Sequence, residues 1–163
     1  MAVQFTYVPI ATQTLGSATA SVTFSSIPST YQDLVLVCNG IRSAAAVTAV
    51  QLNGDTASNY SQTLLSGNGS SASSSRNTSV GNGVLDYTGN TTNPSTTVAH
   101  FLNYANTNTY KTFLSRANNA SDFVGAYVNL WRSTAAINSI YIYAGSGTFN
   151  AGSTFNLYGI ASA

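Results

Sequence analysis

One histidine, one cysteine and four aspartates are the side chains here best equipped for acid–base, nucleophilic or metal chemistry; glutamate does not occur. A Ser-His-Asp triad would have to run through His100, oriented by Asp33, Asp55, Asp86 or Asp122. Among 23 serines such a set can always be drawn, and no Gly-X-Ser-X-Gly elbow raises one of them as a nucleophile. His100 lies in the run Val98-Ala99-His100-Phe101-Leu102 and reads as a structural histidine. Glycoside cleavage needs two carboxyl groups flanking a sugar bond, whereas the four aspartates fall on separate segments. One Cys and one His make zinc implausible. Calcium would have Asp55 and the nearby Asn53 as oxygen ligands, but Asn53-Gly54-Asp55 reads better as a tight turn. Cys38 follows Leu34-Val35-Leu36-Val37 and reads as a buried, inert thiol that has no intrachain disulfide partner. No glycine motif stands in a strand-to-helix context where it could cradle phosphate. The expectation is no catalytic residue, no metal and no cofactor.

Composition agrees. Only nine of 163 residues are charged, while Ser, Thr and Asn supply 61, and most catalytic sites gather ionisable groups in a cleft. Arg42, Arg76, Arg116 and Arg132 are far apart in the sequence, which argues against the multiple phosphate contacts of a nucleic-acid partner. A net charge of +1 gives copies of the chain little mutual repulsion, so part of its surface is expected to be hidden in an assembly. Met1 to Ile10 lacks a basic segment and a continuous apolar segment, so no secretory signal is expected. No apolar run approaches the roughly 20 residues that span a bilayer, and no membrane partner is expected. Sequons at Asn59, Asn68, Asn77, Asn90 and Asn119 then read as chance products of composition.

The elements that must carry these residues are strands. Sustained 3.6-residue periodicity is absent, and alternation is frequent. Val3-Phe5-Tyr7 and Ala20-Val22-Phe24 alternate with polar or small residues, and Asp33 to Ile41 reads as a central strand covered on both faces. Val47 to Leu52, Asn53-Gly54 and Tyr60 to Leu65 read as a hairpin. Ser66 to Thr78 reads as a flexible loop and Thr88 to Ser95 as a second one, flanking a weaker strand at Val80 to Tyr87. Strands are expected at Val98–Tyr104, Thr109–Arg116, Phe123–Trp131, Ile137–Tyr143 and Thr154–Ile160. About ten short strands with Gly- and Asn-rich turns predict an all-β antiparallel β-sandwich or jelly roll forming a single domain. Residues 1–15 read as an N-terminal strand or arm that packs on a neighbour or on the sandwich, and residues 16–163 as the sandwich itself. The core is expected to take Leu34, Leu36, Cys38 and Trp131. The plentiful aromatics could form a sugar-stacking platform, but their alternating positions read first as core or subunit interface.

Three segments carry a resemblance. They are Phe24 to Ile41 (FSSIPSTYQDLVLVCNGI), Leu52 to Ser61 (LNGDTASNYS), and Tyr127 to Ile160, which contains LWRSTAAINSIYIYAGSGTFNAGSTFNLYGI. Together, and in this order, they resemble a family of small virion proteins of tailed bacteriophages and prophages, whose members serve as head decoration, cement or tail components. The resemblance implies a jelly-roll-like β-sandwich and a non-enzymatic decoration (cement) protein on the outer capsid surface. Such a protein binds the major capsid protein, bridges capsomers and is often a homotrimer. A tail-fibre or receptor-binding module for host glycans is the alternative, and a small polysaccharide-degrading enzyme ranks behind both. Interface residues are expected at Val3, Phe5 and Tyr7 in the arm and at Ser70, Arg76 and Asn90 in the polar loops.

Overall fold

Side chains alternating between apolar and polar along short segments demand strands with one buried face. The computed structural model, which describes residues 6–88, 91–119 and 123–161, has twelve of them. In chain order they are β1 (Tyr7–Thr14), β2 (Ser21–Phe24), β3 (Asp33–Gly40), β4 (Ala46–Leu52), β5 (Tyr60–Gly67) and β6 (Ala72–Val80). The second half contains β7 (Gly83–Thr88), β8 (Ser95–Phe101), β9 (Lys111–Asn119), β10 (Phe123–Trp131), β11 (Ile140–Ala144) and β12 (Thr154–Ile160). No helix of the described residues is long and apolar enough to cross a membrane.

Every pairing is antiparallel. The strands form an eight-stranded sheet, β1-β12-β3-β8-β9-β10-β5-β6, and a four-stranded sheet, β2-β11-β4-β7. From β2 to β4 the chain crosses between the sheets at each strand, and the small sheet has the strand order of a jelly roll. The β9–β10 hairpin widens the large sheet in its middle, while β12 and β1 extend it at one edge. Between the sheets lie Leu34, Leu36, Val50, Leu52, Ile140, Ile142 and Leu157, all fully buried. Phe101 stacks on Phe113 with ring centroids 4.9 Å apart, and Tyr60 stacks on Trp131. Cys38 and Trp131 are buried as expected.

Two features differ from the sequence expectations. The segment read as a flexible loop is ordered: β5 runs on to Gly67 and Ala72–Val80 forms the edge strand β6. Asn68 makes the connection, its Oδ1 accepting from the backbone N–H groups of Ser70 (3.0 Å) and Ser71 (2.9 Å). An edge strand needs no apolar face, because pairing on one side supplies its order, and so Ser and Asn leave no hydrophobic trace of it. Next, the Asn53-Gly54 turn is present, with φ of 54° and 71° and Asp55 N–H bonded to the Leu52 carbonyl. It does not close a hairpin, because β4 joins the small sheet and β5 the large one. The Tyr60 hydroxyl accepts from Leu52 N–H and donates to the Asp55 carbonyl, tying the two sheets where the chain crosses. Within the segment read as a strand or arm packing on a neighbour or on the sandwich, β1 (Tyr7–Thr14) pairs with β12 of the same chain, with a bulge between Pro9 and Ala11. Val3, Phe5 and Asn90 lie outside the described residues.

Candidate functional site

The chemistry-bearing residues are dispersed. His100, 42% exposed, binds Asp33 through Nε2 at 3.0 Å, and Asp33 also accepts from Asn103 N–H. That pair is two-thirds of a triad, but the cross-strand neighbours of His100 are Val35 and Leu114, which offer no nucleophile. Asp55 accepts from Trp131 Nε1 (2.7 Å), Asn59 Nδ2 (2.9 Å) and Ala57 N–H (2.9 Å). Burial raises its pKa, but these three bonds outweigh burial and hold it below the ordinary carboxylate value. Asn53 Oδ1 accepts from Asn138 and Ser139 N–H, so the oxygens weighed for calcium serve the fold. Among the described residues no three His, Cys, Asp or Glu side chains gather as metal ligands would. Asp122 lies outside those residues.

Asp86 is interior. It pairs with Arg42 at 3.2 Å, each side chain 2% exposed, and takes a hydrogen bond from Ser95 Oγ at 3.0 Å. Arg42 also donates to Thr48 Oγ1. Burial raises the Asp86 pKa and lowers that of Arg42, and the attraction between the two offsets this only in part. Burial likewise pushes the neighbouring Cys38 thiol far up, leaving it protonated and inert. The adjoining cavity, about 20 Å³, has room for a single water molecule. Lys111 and Arg132 are similarly engaged, Lys111 with the carbonyls of Thr109 and Thr134 and Arg132 with Ser61 Oγ and the Ser58 carbonyl. These charges hold the sandwich together.

What remains open is the outer face of the large sheet. Cross-strand register builds one row, Leu65, Ala126, Arg116, Val98 and Val37, running across β5, β10, β9, β8 and β3. The next row is Thr63, Val128, Leu114, His100, Val35 and Tyr158. Leu65 is 62% exposed, Val124 55%, Val128 49% and Leu114 41%. Two depressions of about 490 and 410 Å³ indent this face and share Val98, Arg116 and Ala126 as lining. The face is wide, mainly aliphatic and poor in charge, which is the chemistry of a surface that meets another protein.

Of the expected interface residues, Tyr7, Ser70 and Arg76 are among those the structure describes. Tyr7 borders the second depression and meets Tyr158 edge-on, with ring centroids 6.3 Å apart. Arg76 lies at the opposite edge on β6, across from Thr63, and Ser70 sits in the β5–β6 turn. The structure therefore places Tyr7 and Arg76 at the two ends of one face and does not bring them together. Leu65, Leu114, Val124 and Val128 were missed. The signal was in β10, where Val124, Ala126, Val128 and Leu130 alternate with Phe123, Tyr127 and Trp131. Both faces of that strand are rich in apolar residues, as a strand covered twice would be.

No protein-family model matches the chain, and no curated protein sequence matches it. Among solved structures it is similar to part of an exo-inulinase from Aspergillus awamori. The TM-score is 0.51 at 15% identity, covering 94% of this chain and 29% of the inulinase. The chain thus spans less than a third of that enzyme, and the likeness is one of fold. An alginate lyase variant in complex with alginate tetrasaccharide aligns at a TM-score of 0.32 and 7% identity, over 93% of this chain and 79% of the lyase. That similarity is too low to bear on fold or activity.

Proposed function

We propose that the chain is a non-enzymatic phage capsid decoration (cement) protein, a homotrimer that binds the major capsid protein on the outer head surface and bridges capsomers. The observation that carries this reading is the exposed aliphatic face of the large sheet. Covering Leu65, Leu114, Val124 and Val128 would contribute roughly 1 kcal/mol each, since each starts about half exposed. Sugars stack on aromatic rings, and this face offers branched aliphatics instead, so a protein suits it better than a glycan. The resemblance of Phe24 to Ile41, Leu52 to Ser61 and Tyr127 to Ile160 to virion proteins supports the same reading. A lattice also multiplies modest contacts through many equivalent sites, which suits a chain with so little charge.

Two measurements test the proposal. Quantitative mass spectrometry of purified virions should give copies in a simple ratio to the major capsid protein, whereas a few copies per particle would refute a decoration role. Val128→Asp, which puts a charge at the centre of the face, should abolish binding to undecorated heads while leaving the melting temperature nearly unchanged. Full binding by that variant would remove the face from the interface.

A further inference from the structure

The large sheet is wider than the small one, and this leaves a shelf. β7, the last strand of the small sheet, packs on β8, β9, β10 and β5, and past it the large sheet continues into its edge strand β6. Asn129 holds β7 down at this border: its side-chain amide bonds both Val84 N–H and the Val84 carbonyl at 2.9 Å. Along the shelf runs a cleft in two parts, about 130 and 320 Å³, which share Leu64 and Tyr87.

Three features of the cleft point to one ligand chemistry. First, no Asp, Glu, Lys, Arg or His lines either part, so an ion entering it would lose hydration without gaining a partner. Second, two buried polar atoms at the smaller part have hydrogen-bonding capacity to spare: Gln62 Oε1 has no partner, and the Tyr127 hydroxyl has at most the Tyr87 backbone. Tyr127 is 3% exposed and its hydroxyl lies beside the Tyr87 backbone. Such groups cost free energy until something bonds them. Third, Tyr87 is exposed at the shared border, with the Phe123 ring set edge-on at 6.0 Å between centroids, which presents an aromatic surface. Ser75 and Asn77 on β6 add neutral donors and acceptors at the rim.

A ligand matched to these features has hydroxyls for Gln62 and Tyr127, an apolar C–H face for Tyr87 and no charge. The geometry points to a neutral glycosyl unit, bound on the shelf between β7 and β6. This site shares Ser66, Gly67 and Tyr127 with the lining of the outer depressions but uses different polar groups, and it does not rest on the decoration reading. It would give the protein a second capacity, attachment to neutral surface glycans.

Saturation-transfer NMR on the full chain tests it, using millimolar glucose, galactose, mannose and N-acetylglucosamine, with glucuronate as the charged control. At least one neutral sugar should receive saturation and glucuronate should not. Tyr87→Ala should weaken binding about tenfold by removing the stacking surface. Ser75→Trp, on the exposed edge strand, should fill the cleft and block binding. Normal thermal unfolding of both variants would show that the fold is retained. No transfer to any neutral sugar, equal transfer to glucuronate, or binding unchanged in both variants would overturn the proposal.

Discussion

The Arg42–Asp86 pair offers the sharpest test of how this sandwich is held together. Both side chains are 2% exposed, and for both groups burial outweighs mutual attraction in setting the pKa. Removing one partner leaves the other charge buried with only neutral groups. For Asp86 these are Ser95, Thr97 and the Tyr87 backbone; for Arg42, chiefly Thr48. Arg42→Met and Asp86→Asn should therefore each cost about 3–5 kcal/mol. Unfolding entropy near the midpoint is about 2.1 cal/mol/K per residue, or about 0.34 kcal/mol/K over 163 residues. Each single variant should then melt about 9–15 °C below the wild type. The double variant carries neither charge, so most of the loss should be recovered, to within about 1–2 kcal/mol of wild type. Thermal and urea unfolding followed by circular dichroism would complete the cycle, with the urea m-value checking that compactness is unchanged. Singles costing under about 1 kcal/mol, or a double variant equal to the sum of the singles, would refute the reasoning.

Two further outcomes follow from local geometry. Asp55 has a folded pKa below its ordinary value of 3.8, so the unfolded chain takes up the proton first as pH falls. Its stabilising contribution is full above that ordinary value and is lost as pH falls through the lower folded value. In Asp55→Asn, melting temperatures measured from neutral to strongly acid pH should show a shallower acid decline than in wild type. An unchanged slope would contradict the assignment. In Gly159→Ala the new Cβ would lie 2.3 Å from Cγ of Tyr31, whose ring covers the glycine. The variant should lose about 1–3 kcal/mol by overpacking, and adding Tyr31→Ala should cost less than the two single losses together.

Much of the fold was legible in local patterns. The two-residue period marked β2, and the apolar run at Leu34 to Cys38 marked the interior strand β3. Asn53-Gly54 marked a left-handed turn, because only residues tolerant of positive φ fit there. These signals depend on a residue and its immediate neighbours. Sheet membership does not, since every strand offers the same backbone donors and acceptors to any partner. The sequence therefore could not say that β5 leaves β4 for β10, or that the Ser-rich segment is ordered by pairing with β5. The candidate face is long-range in the same sense. Leu65, Leu114 and Val128 come from three strands, and only cross-strand register makes them one surface. Pairings such as Asp33 with His100 and Arg42 with Asp86, 67 and 44 residues apart, leave no periodic trace. By itself the sequence determined most of the strands, the turn at Asn53-Gly54 and much of the core, because alternation and backbone preference act locally. Only the tertiary structure decided which strands are neighbours, and with that which apolar side chains the core leaves uncovered.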